Sequence, residues 1–150
     1  MGKVFTLEEA QALLERVGPL LQAAVDAKEE AGRVDQEIQK TIGAISLAGG
    51  MEIDPARFAE RKASKNRAIQ QAKESLEEIQ ELGVLVKDLD SGLIDFPALR
   101  AGEEVYLCWK LGEEKIEWWH RIEDGFAGRQ RIDHDFDHPS GPISGSGRPN

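Results

Sequence analysis

Apolar residues recur at Ala10, Leu14, Val17, Leu21, Ala24, Ala31, Val34, Ile38, Ile42 and Ile45, interrupted once, at Lys28. That spacing follows the turn of an α-helix and commits the first third of the chain to one long amphipathic helix. Its start is written in Phe5-Thr6-Leu7-Glu8-Glu9-Ala10. Thr6 can accept from the Glu9 amide, Glu9 can reach back to Thr6, and Phe5 stands where a hydrophobic staple would. Gly18-Pro19 interrupts the helix without changing the apolar phase, so a kink is expected there.

Gly49-Gly50 closes this segment, and Asp54-Pro55 opens another with Asp as N-cap and Pro at the first helical position. A seam of Ile69, Ala72, Leu76 and Ile79 carries the second helix to about Leu82, with Gly83 as C-cap. The stretches 19–45 and 55–81 would each be roughly 40 Å long, which predicts an antiparallel helical hairpin. Folded about residue 50, the base pairs well: Leu21 with Ile79, Ala24 with Leu76, Ala31 with Ile69. Toward the tip, Val34, Ile38, Ile42 and Ile45 face Arg61-Lys62-Ala63-Ser64-Lys65-Asn66-Arg67, which offers little apolar surface. These four residues are therefore the candidate dimer interface, with a second hairpin completing a four-helix bundle. The alternative is that Lys and Arg stems cover the stripe.

After Gly83 the period changes from helical to alternating. Short runs at 84–88, 93–97, 104–110 and 116–122, and a shorter one near 129–132, are separated by Asp90-Ser91-Gly92, Arg100-Ala101-Gly102 and Gly112-Glu113-Glu114. Connections this short predict a small antiparallel meander of four to five strands. Val105, Leu107 and Trp109 would share one face; Ile116, Trp118, His120 and Ile122 would share an apolar face of the next strand. The expected class is α+β, with a helical hairpin over 1–82, a β unit over 83–132 packed on the hairpin base, and a disordered tail over 133–150 rich in Asp, His, Pro, Ser and Gly.

The formal net charge of −9 is spread along the chain and opposes binding to bulk nucleic acid. No apolar run approaches the ~20 residues that cross a bilayer, and no secretory signal opens the chain, so a cytoplasmic protein without membrane contact is expected. Cys108 is the only cysteine, so neither a disulfide framework nor a Cys-based metal cage is expected. The His and Asp run of 133–138 has the donor types for a metal but no scaffold, and no metal site is assigned. No cofactor is identified either.

The ordered stretches Leu82-Gly83-Val84, Gly92-Leu93-Ile94-Asp95-Phe96-Pro97, Glu104-Val105-Tyr106-Leu107-Cys108-Trp109, Trp119-His120 and Gly125-Phe126-Ala127-Gly128-Arg129-Gln130, with the Phe5–Ala10 opening, resemble the bacterial domain-of-unknown-function family DUF2203 over about residues 5–132. The resemblance implies no activity, ligand or catalytic residue.

Chemistry therefore rests on side chains. Lys87, Asp88, Asp95, His120 and Arg129 are the candidate ligand-binding residues. A histidine beside carboxylates can serve as general base or ligand, although a buried histidine bonded to a backbone carbonyl is the simpler reading. Gly125–Arg129 can cradle an anion, or can be a tight turn with Phe126 plugged into the core. Arg61–Arg67 reads as a solvated helix face. The favoured function is an interaction or scaffolding protein built on a dimeric hairpin, a homodimer with a possible protein partner. The alternatives are a small-molecule or metal-binding protein or small enzyme with a polar pocket in the β unit, and, less favoured because the hairpin tip has only Glu52 and Asp54, a transcription-associated coiled-coil factor.

Overall fold

A computed structural model describes residues 2–47, 49, 54–133 and 136. Helix α1 spans Leu7–Leu47 and continues through Pro19; α2 spans Pro55–Glu81. Five strands follow: β1 Leu85–Asp88, β2 Leu93–Arg100, β3 Glu103–Lys110, β4 Trp118–Arg121 and β5 Gln130–Arg131. They pair antiparallel in chain order as an open sheet, giving the α+β architecture expected from the change of period.

Local chemistry explains the ends of these elements. Thr6 Oγ1 accepts from the Glu9 amide at 3.0 Å, and the Glu9 carboxylate accepts from the Thr6 amide at 3.0 Å, a complete capping box. Asp54 caps α2 by accepting from the Ala56 amide at 3.0 Å. Phe5 goes beyond the staple role. Its amide donates to the Pro97 carbonyl at 2.7 Å, and its ring meets Phe96 edge-on at 5.7 Å, so the N-terminal arm is pinned to β2. Gly92 closes the β1–β2 turn at φ +70°, where a Cβ would stand 2.5 Å from Leu111 Cδ1; both the backbone and the packing require glycine.

One apolar core joins the base of the hairpin to one face of the sheet. Leu14, Val17 and Leu21 of α1 and Ile79 of α2 pack with Ile94, Phe96 and Ala98 of β2, Val105, Leu107 and Trp109 of β3, and Trp119 of β4. The expected grouping of Val105, Leu107 and Trp109 holds. The expected grouping on β4 does not: Trp119 faces the core, so Trp118 and His120 face away from the helices, and Ile122 is exposed. Phe136 also lies in this core, beside Trp119 at 5.9 Å, although it falls within the stretch read from composition as a tail. The rest of that stretch beyond Asp133 lies outside the described residues.

Two details of the hairpin differ from the expected seam. Ala68 and Ala72 are buried while Ile69 is exposed, so α2 meets α1 through small residues near its middle. Toward the tip, Val34 and Ile38 are buried within a single chain. The facing turns of α2 carry Arg61, ion-paired with Glu37, and Lys65, bonded to Asp35 at 2.7 Å. Long side chains held across the hairpin in this way can cover apolar surface with their stems. Arg67 pairs with Glu60 at 2.7 Å, so three cations of the basic stretch are engaged inside the chain. Of the four proposed interface residues, Ile45 is half-buried and only Ile42, 46% exposed, remains open.

This division predicts unequal costs of truncation. Ile79→Ala, in the fully buried base, should destabilise by about 2–5 kcal/mol in denaturant unfolding. Ile42→Ala should stay within about 0.5 kcal/mol. Equal losses at the two sites would mean that something beyond one chain covers the hairpin tip.

Candidate functional site

Because β2, β3 and β4 turn Phe96, Leu107 and Trp119 toward the helices, the alternate residues Asp95, Cys108 and His120 fall on the opposite face. Asp95 stands directly across from Cys108 on β3, and His120 is the register partner of Tyr106, two residues from Cys108. Despite facing away from the helices, Asp95 is 1% exposed and His120 4%. Neighbouring side chains enclose them. Tyr106 meets the His120 ring edge-on at 5.6 Å, Lys87 Nζ lies 4.7 Å over Tyr106, and Arg129 lies 5.1 Å over Trp118.

His120 Nε2 lies 3.1 Å from both Asp95 oxygens, and Nδ1 lies 2.8 Å from the Arg121 carbonyl. A carbonyl can only accept, so Nδ1 carries a proton and donates it. Nε2 then faces the carboxyl across a contact that needs one proton, held by imidazolium or by carboxylic acid, and the pair is neutral in either case. Burial raises the Asp95 pKa above its ordinary value, against the opposing pull of His120 and, more weakly, of Lys87. The Cys108 thiol donates to the same carboxyl; burial and the Asp95 charge push its pKa up to about 12. It is therefore no ready nucleophile, since thiolate chemistry needs a lowered pKa.

A second polar group borders the first. Arg129 Nη2 donates to Glu113 Oε1 at 2.8 Å and to the Cys108 carbonyl at 3.4 Å. Glu113 Oε1 also accepts the Lys110 amide at 3.0 Å, and its carbonyl accepts Trp109 Nε1 at 3.1 Å. Burial works to raise the Glu113 pKa, but the Arg129 and Lys110 bonds hold it below the ordinary value. Burial likewise works to lower the Arg129 pKa, and the Glu113 bond raises it overall. Arg129 Nε is buried without a hydrogen-bond partner.

Of the five candidate binding residues, four converge: Asp95 and His120 in contact, with Lys87 and Arg129 at the margins. Asp88 does not join them. It accepts from Ser91 Oγ at 2.6 Å in the β1–β2 turn, which lowers its pKa. Phe126 is not the expected core plug. It is 45% exposed in the single 3-10 turn Phe126–Gly128 and stacks with Arg129 at 4.6 Å. Arg129 is committed to Glu113 and the Cys108 carbonyl, so the loop offers no free guanidinium for an anion.

Cys108 and Glu113 were not among the candidate site residues read from the sequence. For Cys108 the signal was present, since placing Val105, Leu107 and Trp109 on one face puts Cys108 on the other. Glu113 gave none, because a turn glutamate looks the same whether or not it is bonded. No metal site was assigned from sequence; among the described residues, the Asp95, Cys108 and His120 donor atoms lie within 4.8 Å of one another.

Comparison with known families gives a match over most of the chain. The family described as "Uncharacterized conserved protein (DUF2203)" matches residues 3–132. The chain belongs to the DUF2203 family. No curated protein and no solved structure matches this DUF2203 chain. Its match spans both helices and all five strands, and therefore both polar groups. No helix among its described residues is long and apolar enough to cross a membrane.

The His120 tautomer can be tested directly. Long-range proton–nitrogen NMR spectra should show a proton on Nδ1. An unprotonated Nδ1 would remove the Arg121 contact and the assignment of Nε2 to the Asp95 side.

Proposed function

We propose that this protein is a ligand-binding protein whose working site is the face of the sheet turned away from the helices, centred on Asp95 and His120. The observation that carries this reading is the buried 3.1 Å contact between the two side chains on the face of the sheet turned away from α1 and α2. Burying a carboxylate and an imidazole is costly relative to an apolar pair of similar volume, so stability alone gives little reason to place them there. Groups desolvated and paired in this way are enriched at functional sites. On this reading the hairpin supports the sheet through the shared core, and the aromatic and cationic residues Tyr106, Trp118, Lys87 and Arg129 frame access to the pair.

Native mass spectrometry of the chain purified gently from its own host is the test. A bound mass should be present in the wild type and absent from His120→Ala and Asp95→Asn, with all three folded by circular dichroism. A bare chain mass for the wild type, or an adduct that both variants keep, would overturn the reading.

A second reading, the dimeric scaffold, has a narrower basis at the hairpin tip: Ile42 at 46% exposure and Leu47 at 92%. In that arrangement the exposed residues of two tips cover each other, and Ile42→Asp should halve the mass measured by light scattering. A wild-type monomer at micromolar concentration would remove it.

A further inference from the structure

Asp95, Cys108 and His120 come from three consecutive strands and present a carboxylate oxygen, a sulfur and an imidazole nitrogen, all within 4.8 Å of one another. We propose that these three side chains form a binding site for one divalent transition-metal ion of the zinc class. The proposal rests on the reading of this face as the working site and names its ligand.

Distance is the first support. Around a tetrahedral zinc with bonds of about 2.0–2.3 Å, neighbouring donors stand roughly 3.3–3.7 Å apart. Nε2 already lies 3.1 Å from each Asp95 oxygen, so admitting an ion calls for changes of about an ångström rather than a rebuilt backbone. Orientation is the second. His120 gives its Nδ1 proton to the Arg121 carbonyl at 2.8 Å, which turns Nε2 toward the other two donors. Fixing one ring nitrogen on a carbonyl so that the other can ligate is the common arrangement at metal-bound histidines.

Charge is the third. The metal-free cluster holds two exchangeable protons, one between Asp95 and Nε2 and one on the Cys108 sulfur. A doubly charged ion entering as those two protons leave gives carboxylate, thiolate, neutral imidazole and M²⁺, so the net charge is zero before and after. Metal binding at thiol and imidazole donors releases protons in this way.

The donor set also selects the ion. Sulfur and imidazole favour zinc and its later first-row neighbours over calcium or magnesium, which take oxygen. Three protein donors rather than four is the count found where a metal keeps one position for water or an exchangeable ligand. The arrangement does not fit a cysteine–histidine nucleophile pair, because the thiol meets Asp95 and His120 Nε2 is also turned to Asp95 rather than to the sulfur.

The experiment uses the full chain after chelator treatment, loaded with cobalt(II) as a spectroscopic probe and separately with zinc. Binding should saturate at one equivalent, with a sulfur-to-cobalt charge-transfer band in the near ultraviolet and visible bands of tetrahedral intensity. Cys108→Ser, a near-isosteric change, should lose the charge-transfer band while keeping the wild-type circular dichroism. Because loss of a residue that merely orients a ligand weakens binding 10–100-fold, loss of a ligand in His120→Ala or Asp95→Ala should weaken zinc binding about 100-fold or more. A folded wild type with no stoichiometric cobalt or zinc binding would overturn the proposal, as would binding that survives Cys108→Ser and His120→Ala unchanged. If a bound organic molecule is lost in His120→Ala while neither metal binds, the metal falls and the binding face stands. If neither metal nor adduct is found, both readings fall.

Discussion

The division of the sheet into two faces is the constraint from which everything else in this structure follows. Along β2, β3 and β4 one side chain in two is taken by the helices: Phe96, Leu107 and Trp119 meet Leu14, Val17, Leu21 and Ile79 in a single apolar core. Since the side-chain period of a strand is two, that core fixes where Asp95, Cys108 and His120 must point. A slip of one residue in any of the three strands would bury a polar group among the leucines and turn an aromatic into water. The hydrophobic core thus sets the register, and the register assembles the polar cluster, even though no core residue needs to touch it.

The cluster is not a direct cross-strand ladder. Asp95 and Cys108 are opposite one another, whereas His120 lies on the diagonal, opposite Tyr106. Diagonal neighbours in a sheet are farther apart than direct ones, and a long side chain is needed to close the gap. Histidine has that reach, and the Arg121 carbonyl holds its ring in place. Arg129 adds a bond to the Cys108 carbonyl while Glu113 fixes the guanidinium, tying the β4–β5 connection to β3. Buried polar networks of this kind hold one geometry when their members are paired, and the low local dielectric makes each unmet partner costly. The unpaired Arg129 Nε is the exception at the border of the network.

What could be read from sequence follows the distance over which each feature is determined. Helix starts at Thr6 and Asp54 and the turns between strands depend on a few adjacent residues, and all were legible. The order of the strands was legible because the turns are too short for any connection but a meander. Register was not, because it depends on packing between residues far apart in the chain. That is why the sequence named Asp95 and His120 as candidates without pairing them, and why His120 was assigned to the apolar face. Ile116 belongs to the core, but β4 begins at Trp118, and counting alternation from Ile116 reverses the faces. Phe136 was lost for a related reason: a single aromatic in a polar stretch has no periodicity to betray its burial.

The tip of the hairpin shows the same limit from the other side. Counting apolar residues made Val34 and Ile38 look unpartnered, because the count treats arginine and lysine as wholly polar. Their stems are hydrocarbon and able to cover apolar surface, and Glu37 and Asp35 on α1 hold the heads of Arg61 and Lys65 across the hairpin. Long charged side chains can thus finish an interface that aliphatic residues leave incomplete, provided that the opposing helix supplies the counter-charge. On the proposed reading, function then lies with the sheet rather than the hairpin. Once most of the stripe is buried within the chain, the buried ionisable groups on the face turned away from α1 and α2 are the feature that packing alone does not explain.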